Sequence, residues 1–554
     1  MEPPHSLDAL GTGTLTSRSP VSLSTNTSWW ARRRRNISSR GQPRSHRIRT
    51  TTRAIVPLAV SQPLAVPDRP DVFAQRLLSP PVTVKSTRGG SPSSSSAETL
   101  ESGTPTEGRG NRMSRDWTQF AVPAAIGGVA LLFFGLLTRG TFDPFHRVGL
   151  EVFYEGQARS ILHGHLNVLR VEIDGEGILV DGRWYGYFGI VPAILRLPII
   201  GLFSSRWPYL APWSFLSAFA VQAAATIGLV RWSRRQTSVI RWWAPLAEAG
   251  WIAIVLGSAS LFVAARPYKY EEAIAWGVAF GLAAFWAILR ASETGRTHHA
   301  LLAVAFAACS IGSRPTIGAG VCAALVVAAL LWWSRSQKMA VLLAVGAAVA
   351  FGSYVLVNEL RYHTALNPPY IDAVGYRNNP RRLALVRRGT NHLANLPTNL
   401  FQYLRPDTLQ FVNKFPWITF RMPAYHPVRI IGSPQFDGIE PTASITDTMP
   451  ALTLLAAMGM ARVRRFKPVW ALIVGGGVTA GLTLTFFGET ERYLADFVPL
   501  LAALSILGLI ALIEWEPSSR LRAPVYALLG FGAVWSILTM AALVIQSQHW
   551  FESV

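Results

Sequence analysis

The sequence is poor in cysteine, in carboxylates and in charge of either sign. Two cysteines, Cys309 and Cys322, in 554 residues exclude a disulfide-stapled scaffold. Both fall inside apolar runs, where a thiol fills space between helices. Charged residues are 15% of the chain, against roughly 25% in a soluble protein. There is no phosphate-cradling Gly-rich loop, no clustered His/Cys metal spacing and no nucleophile elbow, which argues against a nucleotide-hydrolysing pump. Asp and Glu number 31 against 52 Lys and Arg, a net charge of +21. Nucleic-acid binding is one source of such an excess. Here the basic residues sit in loops and tail, where membrane topology accounts for them, and no nucleic-acid partner is expected.

What the sequence has is apolar length. After Arg115, runs of roughly 18 to 22 residues recur, each long enough to cross a ~30 Å hydrocarbon layer as a helix. They are apolar all round, whereas soluble helices carry a polar face, and in lipid the backbone must satisfy itself, which selects helices. The spans fall near 117–137, 211–230, 244–264, 272–291, 299–313, 316–333, 339–357, 447–461, 468–487, 494–513 and 524–546. The expected fold is an all-α polytopic membrane bundle of about eleven transmembrane helices over 116–546, with a short C-terminal tail at 547–554.

Residues 1–115 differ in kind. They are rich in Ser, Thr, Pro and Arg, include an Arg32–Arg35 run and have little to bury, so a disordered basic tail is expected. Met113 directly precedes the first span. Two readings stay open: translation starts there and residues 1–112 are not part of the true protein, or the tail is a basic arm for anionic headgroups.

Arginine and lysine set an orientation. One alternating set of loops holds Arg231, Arg234, Arg235 and Arg241, then Arg290 and Arg296, Arg335 and Lys338, Arg462 to Lys467, and Arg520 and Arg522. By the positive-inside rule these loops face the cytosol, with the N-terminus inside and the C-terminus outside. Residues 190–203 are apolar but short, with two prolines and Arg196, and read as an interfacial or re-entrant helix on the outer face. Two sizeable segments, 138–210 and 358–446, then face outward. The second is too long for a connector and is expected to cap a site or select an acceptor.

The first outer segment carries Glu151 and Glu155 one helical turn apart, then Asp174-Gly-Glu176 and Asp181-Gly-Arg183-Trp-Tyr185-Gly-Tyr187. A carboxylate at a membrane surface suits a general base that takes a proton from a sugar hydroxyl. Equally, these could be solvated loop carboxylates paired with Arg147, Arg159 or Arg170. Arg492 and Arg314 lie at span ends, where a cation could meet a lipid phosphate. The plainer roles are a salt bridge of Arg492 with Glu489 or Glu491, and a paired or solvated Arg314. Tyr185 and Tyr187 could stack on a sugar face or anchor at the interface.

In order, Tyr154-Glu155-Gly156-Gln157-Ala158-Arg159, Asp181 to Ala193, Arg234-Arg235, Ser313-Arg314-Pro315-Thr316, Asn358-Glu-Leu-Arg361-Tyr362 and Glu491-Arg492-Tyr493 with Asp496-Phe-Val-Pro499 resemble the signals of the GT-C superfamily of polytopic glycosyltransferases, in particular an actinobacterial, mannosyl/arabinosyltransferase-like branch. The resemblance spans most of 117–546 through short, degenerate motifs. It implies an inverting glycosyltransferase of the cell envelope, working on the extracytoplasmic face of the cell membrane. A polyprenyl-phosphate sugar would be the donor and a glycan, lipid or protein the acceptor. Glu155, Glu151 and Glu176 would be catalytic, and Arg492, Arg314, Arg159, Asp181, Tyr185 and Tyr187 would bind substrate. Glu176 could orient the acceptor or support a divalent cation, the one cofactor in view. Such enzymes usually place Asp where this chain has Glu. The rivals are a transporter or flippase of lipid-linked precursors, which would want charges deep in the spans and repeated halves, and a non-catalytic scaffold of the same fold.

Overall fold

Helices follow the apolar runs. The computed structural model describes residues 120–145, 152–203, 209–421, 426–516 and 518–552, all within one unit, Ser102–Val554. The expected tail at 1–115, Met113 and Glu151 lie outside the described residues. The helices of nine residues or more are α1 (Ala121–Leu137), α2 (Phe153–Leu162), α3 (Ala211–Gln236), α4 (Ala244–Leu256), α5 (Lys269–Thr294), α6 (Thr297–Ile311), α7 (Pro315–Trp332), α8 (Gln337–Tyr362), α9 (Leu396–Leu404), α10 (Pro450–Met460), α11 (Val469–Thr485), α12 (Val498–Glu514) and α13 (Ser519–Glu552). Proline stands within the first two residues of α3, α4, α7, α9, α10 and α12, where its missing N–H removes no helical bond. Gly295, at φ 66°, takes the left-handed conformation that ends α5.

A helix stands at each of the eleven expected positions, but not all are long enough to span. Six pass by length and composition: α3, α5, α7, α8, Glu491–Glu514 and Ala523–His549. A seventh forms if α4 and Ala259–Ala265, bent by 41°, count as one broken span. The remaining positions hold α1, α6, α10 and α11, of 17, 15, 11 and 17 residues, each shorter than α7, which at 18 residues is the shortest of the six. At α1, α10 and α11 the apolar run extends past the helix, to 117–137, 447–461 and 468–487, and hydropathy counts those extra residues as part of a span. The last helix runs to Glu552, into the stretch 547–554 expected as a tail. Both cysteines are free.

The bundle centres on α5, whose apolar stretch is 94% buried against α3, α6, α7 and α12. Its two ends differ. At one end, ion pairs tie the basic loops to one another: Arg234 with Glu248, Arg235 with Glu293, Arg241 with Glu516, and Arg462 and Arg465 with Glu514. At the other end α3 and α5 begin, and loops gather there. Residues 190–203 form two short helices, Val191–Ile194 and Leu197–Phe203, broken around Arg196. Strands β1 (Ile178–Val180) and β2 (Arg183–Tyr185) make a hairpin closed by Asp181 and Gly182, both at positive φ (49° and 74°), as a two-residue Asp-Gly turn requires. The segment 358–446 contributes the hairpin of β3 (Leu409–Phe411) and β4 (Ile418–Phe420), and then β5 (Gly438–Ile439). That strand pairs in parallel with β6 (Gly488–Glu489), so the segment is stitched to the turn between α11 and α12.

Candidate functional site

A cavity of about 330 Å³ opens at the loop-covered end of the bundle. The short turn Asp174–Glu176 before the β1–β2 hairpin brings Glu176 to its wall, and the segment after the hairpin brings Tyr187. The α6–α7 turn brings Arg314, the start of α5 brings Tyr270, and the α11–α12 turn brings Glu489, Arg492 and Asp496. From segment 358–446 come Tyr370, Tyr376, Arg382, Asp437 and Glu440. Close backbone approach makes this convergence possible. A Cβ on Gly189 would lie 2.3 Å from the Gly312 carbonyl oxygen, so only glycine lets the strand after the hairpin press against the α6–α7 turn. The Val191 N–H seals that contact on the same Gly312 oxygen at 2.9 Å.

The polar groups form connected sets. Tyr187 donates to Glu176 Oε2 at 2.6 Å and meets the Tyr270 hydroxyl at 2.7 Å. The Arg492 guanidinium lies over the Tyr270 ring, 4.9 Å from its centroid. A line of contacts thus runs from the Glu176 carboxylate through two phenols to Arg492. Burial, with Tyr270 and Glu176 beside it, pushes the Tyr187 hydroxyl well above the ordinary phenol range, so it stays a donor. Arg492 is held by Glu440 at 3.0 Å and by Glu271 at 3.3 Å, and its buried Nε has no hydrogen-bond partner. Glu440 is the looser of the two, 37% exposed against 3% for Glu271. Arg314 meets Asp496 at 2.9 Å, and Thr316 and Thr483 donate to the same carboxylate. Arg382 makes a two-point contact with Asp437, at 2.8 and 2.7 Å. Behind Arg492, Glu440 and Thr490 lies a second cavity of about 170 Å³ that those three residues also line.

Charge alone would not draw an anion in. Glu176, Asp437, Glu440, Glu489 and Asp496 line the wall against Arg314, Arg382 and Arg492. Each arginine already faces a carboxylate, so an incoming phosphate would need directed hydrogen bonds. Arg492 has the loosest set of the three, with a buried Nε that no group meets and a partner, Glu440, that is 37% exposed.

Four of the residues singled out in the sequence meet here: Glu176, Tyr187, Arg314 and Arg492. The others do not. Glu155 is 1% exposed and lines no part of the cavity. Its Oε1 accepts from Arg196 Nε at 3.3 Å and from the Leu210 N–H at 2.9 Å. Arg196 in turn grips Glu272 at 2.5 and 2.9 Å. The Glu155 carboxylate is therefore committed to a buried triad that fastens α2 to the start of α5. Arg159 is exposed. Asp181 serves the hairpin turn and pairs with exposed His363 at 3.0 Å. Tyr185 packs edge-on to Tyr362 and points away from the cavity wall. Glu151 lies outside the described residues. Of the expected partners of Arg492, neither Glu489 nor Glu491 serves, and Glu440 and Glu271 take their place.

A divalent cation finds little to bind. Among the described residues no three His, Cys, Asp or Glu side chains cluster in a way that could hold a metal ion, and Glu176 is engaged by Tyr187. We derive no step through a cation.

No protein-family model matches the chain, and no curated protein matches it. Among solved structures it is similar to the Archaeoglobus fulgidus oligosaccharyltransferase in the apo form, at 14% identity and a TM-score of 0.42, covering 79% of this chain and 58% of that one. It is also similar to the archaeal oligosaccharyltransferase AglB of the same organism in complex with an inhibitory peptide and a dolichol-phosphate, at 13% identity and a TM-score of 0.41, covering 78% and 56%. The chain thus spans less than two thirds of either neighbour's length. At these scores the likeness decides nothing about the site.

Proposed function

We propose that the chain is a membrane glycosyltransferase that moves a sugar from a polyprenyl-phosphate donor to an acceptor hydroxyl in the cavity between Glu176 and Arg492. One observation carries the reading. A carboxylate with no cationic partner and an arginine with an unfilled N–H line the same chamber, and tyrosine and phenylalanine rings (Tyr187, Tyr270, Tyr370, Phe487) wall it. Rings suit the apolar faces of a sugar.

The chemistry is a single displacement. Glu176 takes the proton of the acceptor hydroxyl, and the oxygen so released attacks the anomeric carbon. The bond from that carbon to the phosphate oxygen breaks, and the lipid phosphate leaves with the electron pair. Inversion at the anomeric carbon follows from one displacement. Tyr187 fixes the Glu176 oxygen it donates to, leaving the other free to act as base. Arg492 stabilises the departing phosphate, which takes the place of Glu440, the more exposed of its two carboxylate partners. Arg314, 4.9 Å from the Tyr493 ring centroid and locked on Asp496, orders the wall beside it. The loop-covered end faces the outside, because the arginine-rich loops at the opposite end belong in the cytosol.

The test is incubation of the purified protein with a radiolabelled polyprenyl-phosphate sugar and a mixture of candidate acceptors. Label should move to an acceptor with wild type, and Glu176→Gln should abolish the transfer while the protein keeps its thermal unfolding profile. Movement of label across a vesicle membrane without transfer would make the protein a flippase, and neither outcome would leave a scaffold. Cysteine labelling of the β1–β2 hairpin from the cytosolic side would place the chamber on the wrong face and end the proposal.

A further inference from the structure

At the end of the bundle away from Glu176 and Arg492, a groove of about 470 Å³ runs between α3, α5 and α6. Its construction follows from residue size. Ala224, Ala225 and Gly228 on α3 face Ala283 on α5 and leave a depression, while Phe280, Trp286 and Phe306 stand as its walls. Gly228 is required there, since a Cβ would come within 2.4 Å of the Trp286 ring.

The groove is apolar along its length and basic at one end, where Arg231, Arg235 and Arg290 line it. Arg235 and Arg290 share one carboxylate, Glu293, at 2.6 and 2.5 Å. Arg231 is exposed and has no hydrogen bond or ion pair among the described residues. Three guanidinium groups against one carboxylate leave an uncompensated positive charge where α3 and α5 end. Among the described residues no acidic side chain lines the groove, and Glu293 beside it is taken up by Arg235 and Arg290, which disfavours the ammonium of a zwitterionic headgroup.

We propose that this groove binds one anionic glycerophospholipid, with an acyl chain along Ala224, Ala225 and Ala283 and the headgroup phosphate on Arg231, between Arg235 and Arg290. The physical grounds are independent of the chamber at the other end. A membrane helix leaves an arginine unpaired only where water or an anion meets it, and a basic pocket between spans on an apolar groove matches a phospholipid in both halves. A free phosphate would use the arginines alone. An isoprenoid phosphate would share the charge but is the ligand assigned to the opposite end.

Native mass spectrometry of the full chain in neutral detergent, titrated with phosphatidylglycerol, tests this. One phosphatidylglycerol should be retained, and phosphatidylcholine should be held more weakly. Arg231→Glu should weaken retention by roughly tenfold or more, since it replaces an attraction for the phosphate with a repulsion. Ala224→Trp, at an exposed position that tolerates bulk, should fill the groove and also weaken it. Both variants leave the chamber untouched, so sugar transfer stays a separate readout. Undiminished retention by either variant would overturn the assignment, as would equal binding of phosphatidylcholine. Displacement of phosphatidylglycerol by inorganic phosphate at equal concentration would show that the groove is not used. Preferential binding of farnesyl phosphate there would reassign the site to an isoprenoid lipid.

Discussion

Two clusters of arginine and carboxylate sit at the same end of the bundle and differ in one respect. In Glu155–Arg196–Glu272 the two carboxylates both engage the one guanidinium, and Ser214 and the Leu210 N–H take up further lone pairs. In the cluster around Arg492, valences are left over: a vacant Nε, an unpartnered oxygen on Glu271, a half-exposed Glu440. Both include short ion pairs, so distance does not tell them apart. What tells them apart is whether the set leaves valences over and a loosely held partner that an incoming group could replace. The first cluster is closed and reads as architecture, the second is open and reads as a site.

The sharpest way to break this contrast is to remove one carboxylate from each. Glu176→Gln should lower transfer by about 10²- to 10⁴-fold, the usual worth of a general base, with little change in unfolding temperature. Glu155→Gln should do the reverse, lowering the unfolding temperature while the folded fraction transfers at near wild-type rate. Equal kinetic damage from the two would erase the distinction. Close behind in size, Arg196→Leu strands two buried carboxylates and should destabilise the fold by about 3–5 kcal/mol, measurable by denaturation in detergent. A wild-type unfolding curve would mean that the triad holds nothing. A smaller effect concerns the open cluster. Glu440→Gln should free Arg492 and lower the donor KM by up to roughly fivefold, in line with the 0.2–1 kcal/mol of a rim ion pair. A raised KM would show that Glu440 helps hold the donor rather than guarding its place.

How much of this contrast was legible in the sequence depends on how far apart the partners lie. Arg492 and Arg314 were visible as cations at span ends, and Glu176 and Tyr187 as an acid and an aromatic in the first outer segment. Glu155 was a catalytic candidate through the resemblance that Tyr154-Glu155-Gly156-Gln157-Ala158-Arg159 carries. Yet the sequence also held the clue to its true setting: Arg196, alone in the apolar run 190–203, has to find a buried carboxylate. Glu155 and Glu272 are the two that reach it. Glu440 and Asp437 gave no such clue. They arrive through the two-residue parallel pairing of β5 with β6, across about fifty residues of chain, and no periodicity announces so short a contact. The bundle itself was legible because apolar length is a local property. The number of full crossings was less so, because hydropathy does not see where a helix stops.

The last effect lies between the clusters. Glu489, on β6, is 1% exposed, and neither of its carboxylate oxygens has a hydrogen-bond partner. Burial pushes its carboxyl up from an ordinary 4.5 to about 8, with Arg405 pulling the other way. The fold therefore holds a proton here that the unfolded chain gives up near 4.5. Between 4.5 and about 8 the folded state binds more protons, so the contribution of this group is complete below 4.5 and is lost as pH rises through about 8. Glu489→Gln keeps the shape and removes the titration. The unfolding temperature of wild type should fall relative to Glu489→Gln as pH climbs toward 8 and beyond. The gap should widen as pH rises from about 4.5 to about 8 and level off above it, where both states have lost the proton. Because β6 carries the wall on which Arg492 stands, the same rise in pH should loosen the open cluster before it touches the closed one. Parallel pH slopes in the two proteins would mean that Glu489 is already ionised in the fold, and that the wall owes its rigidity to the β5–β6 pairing alone.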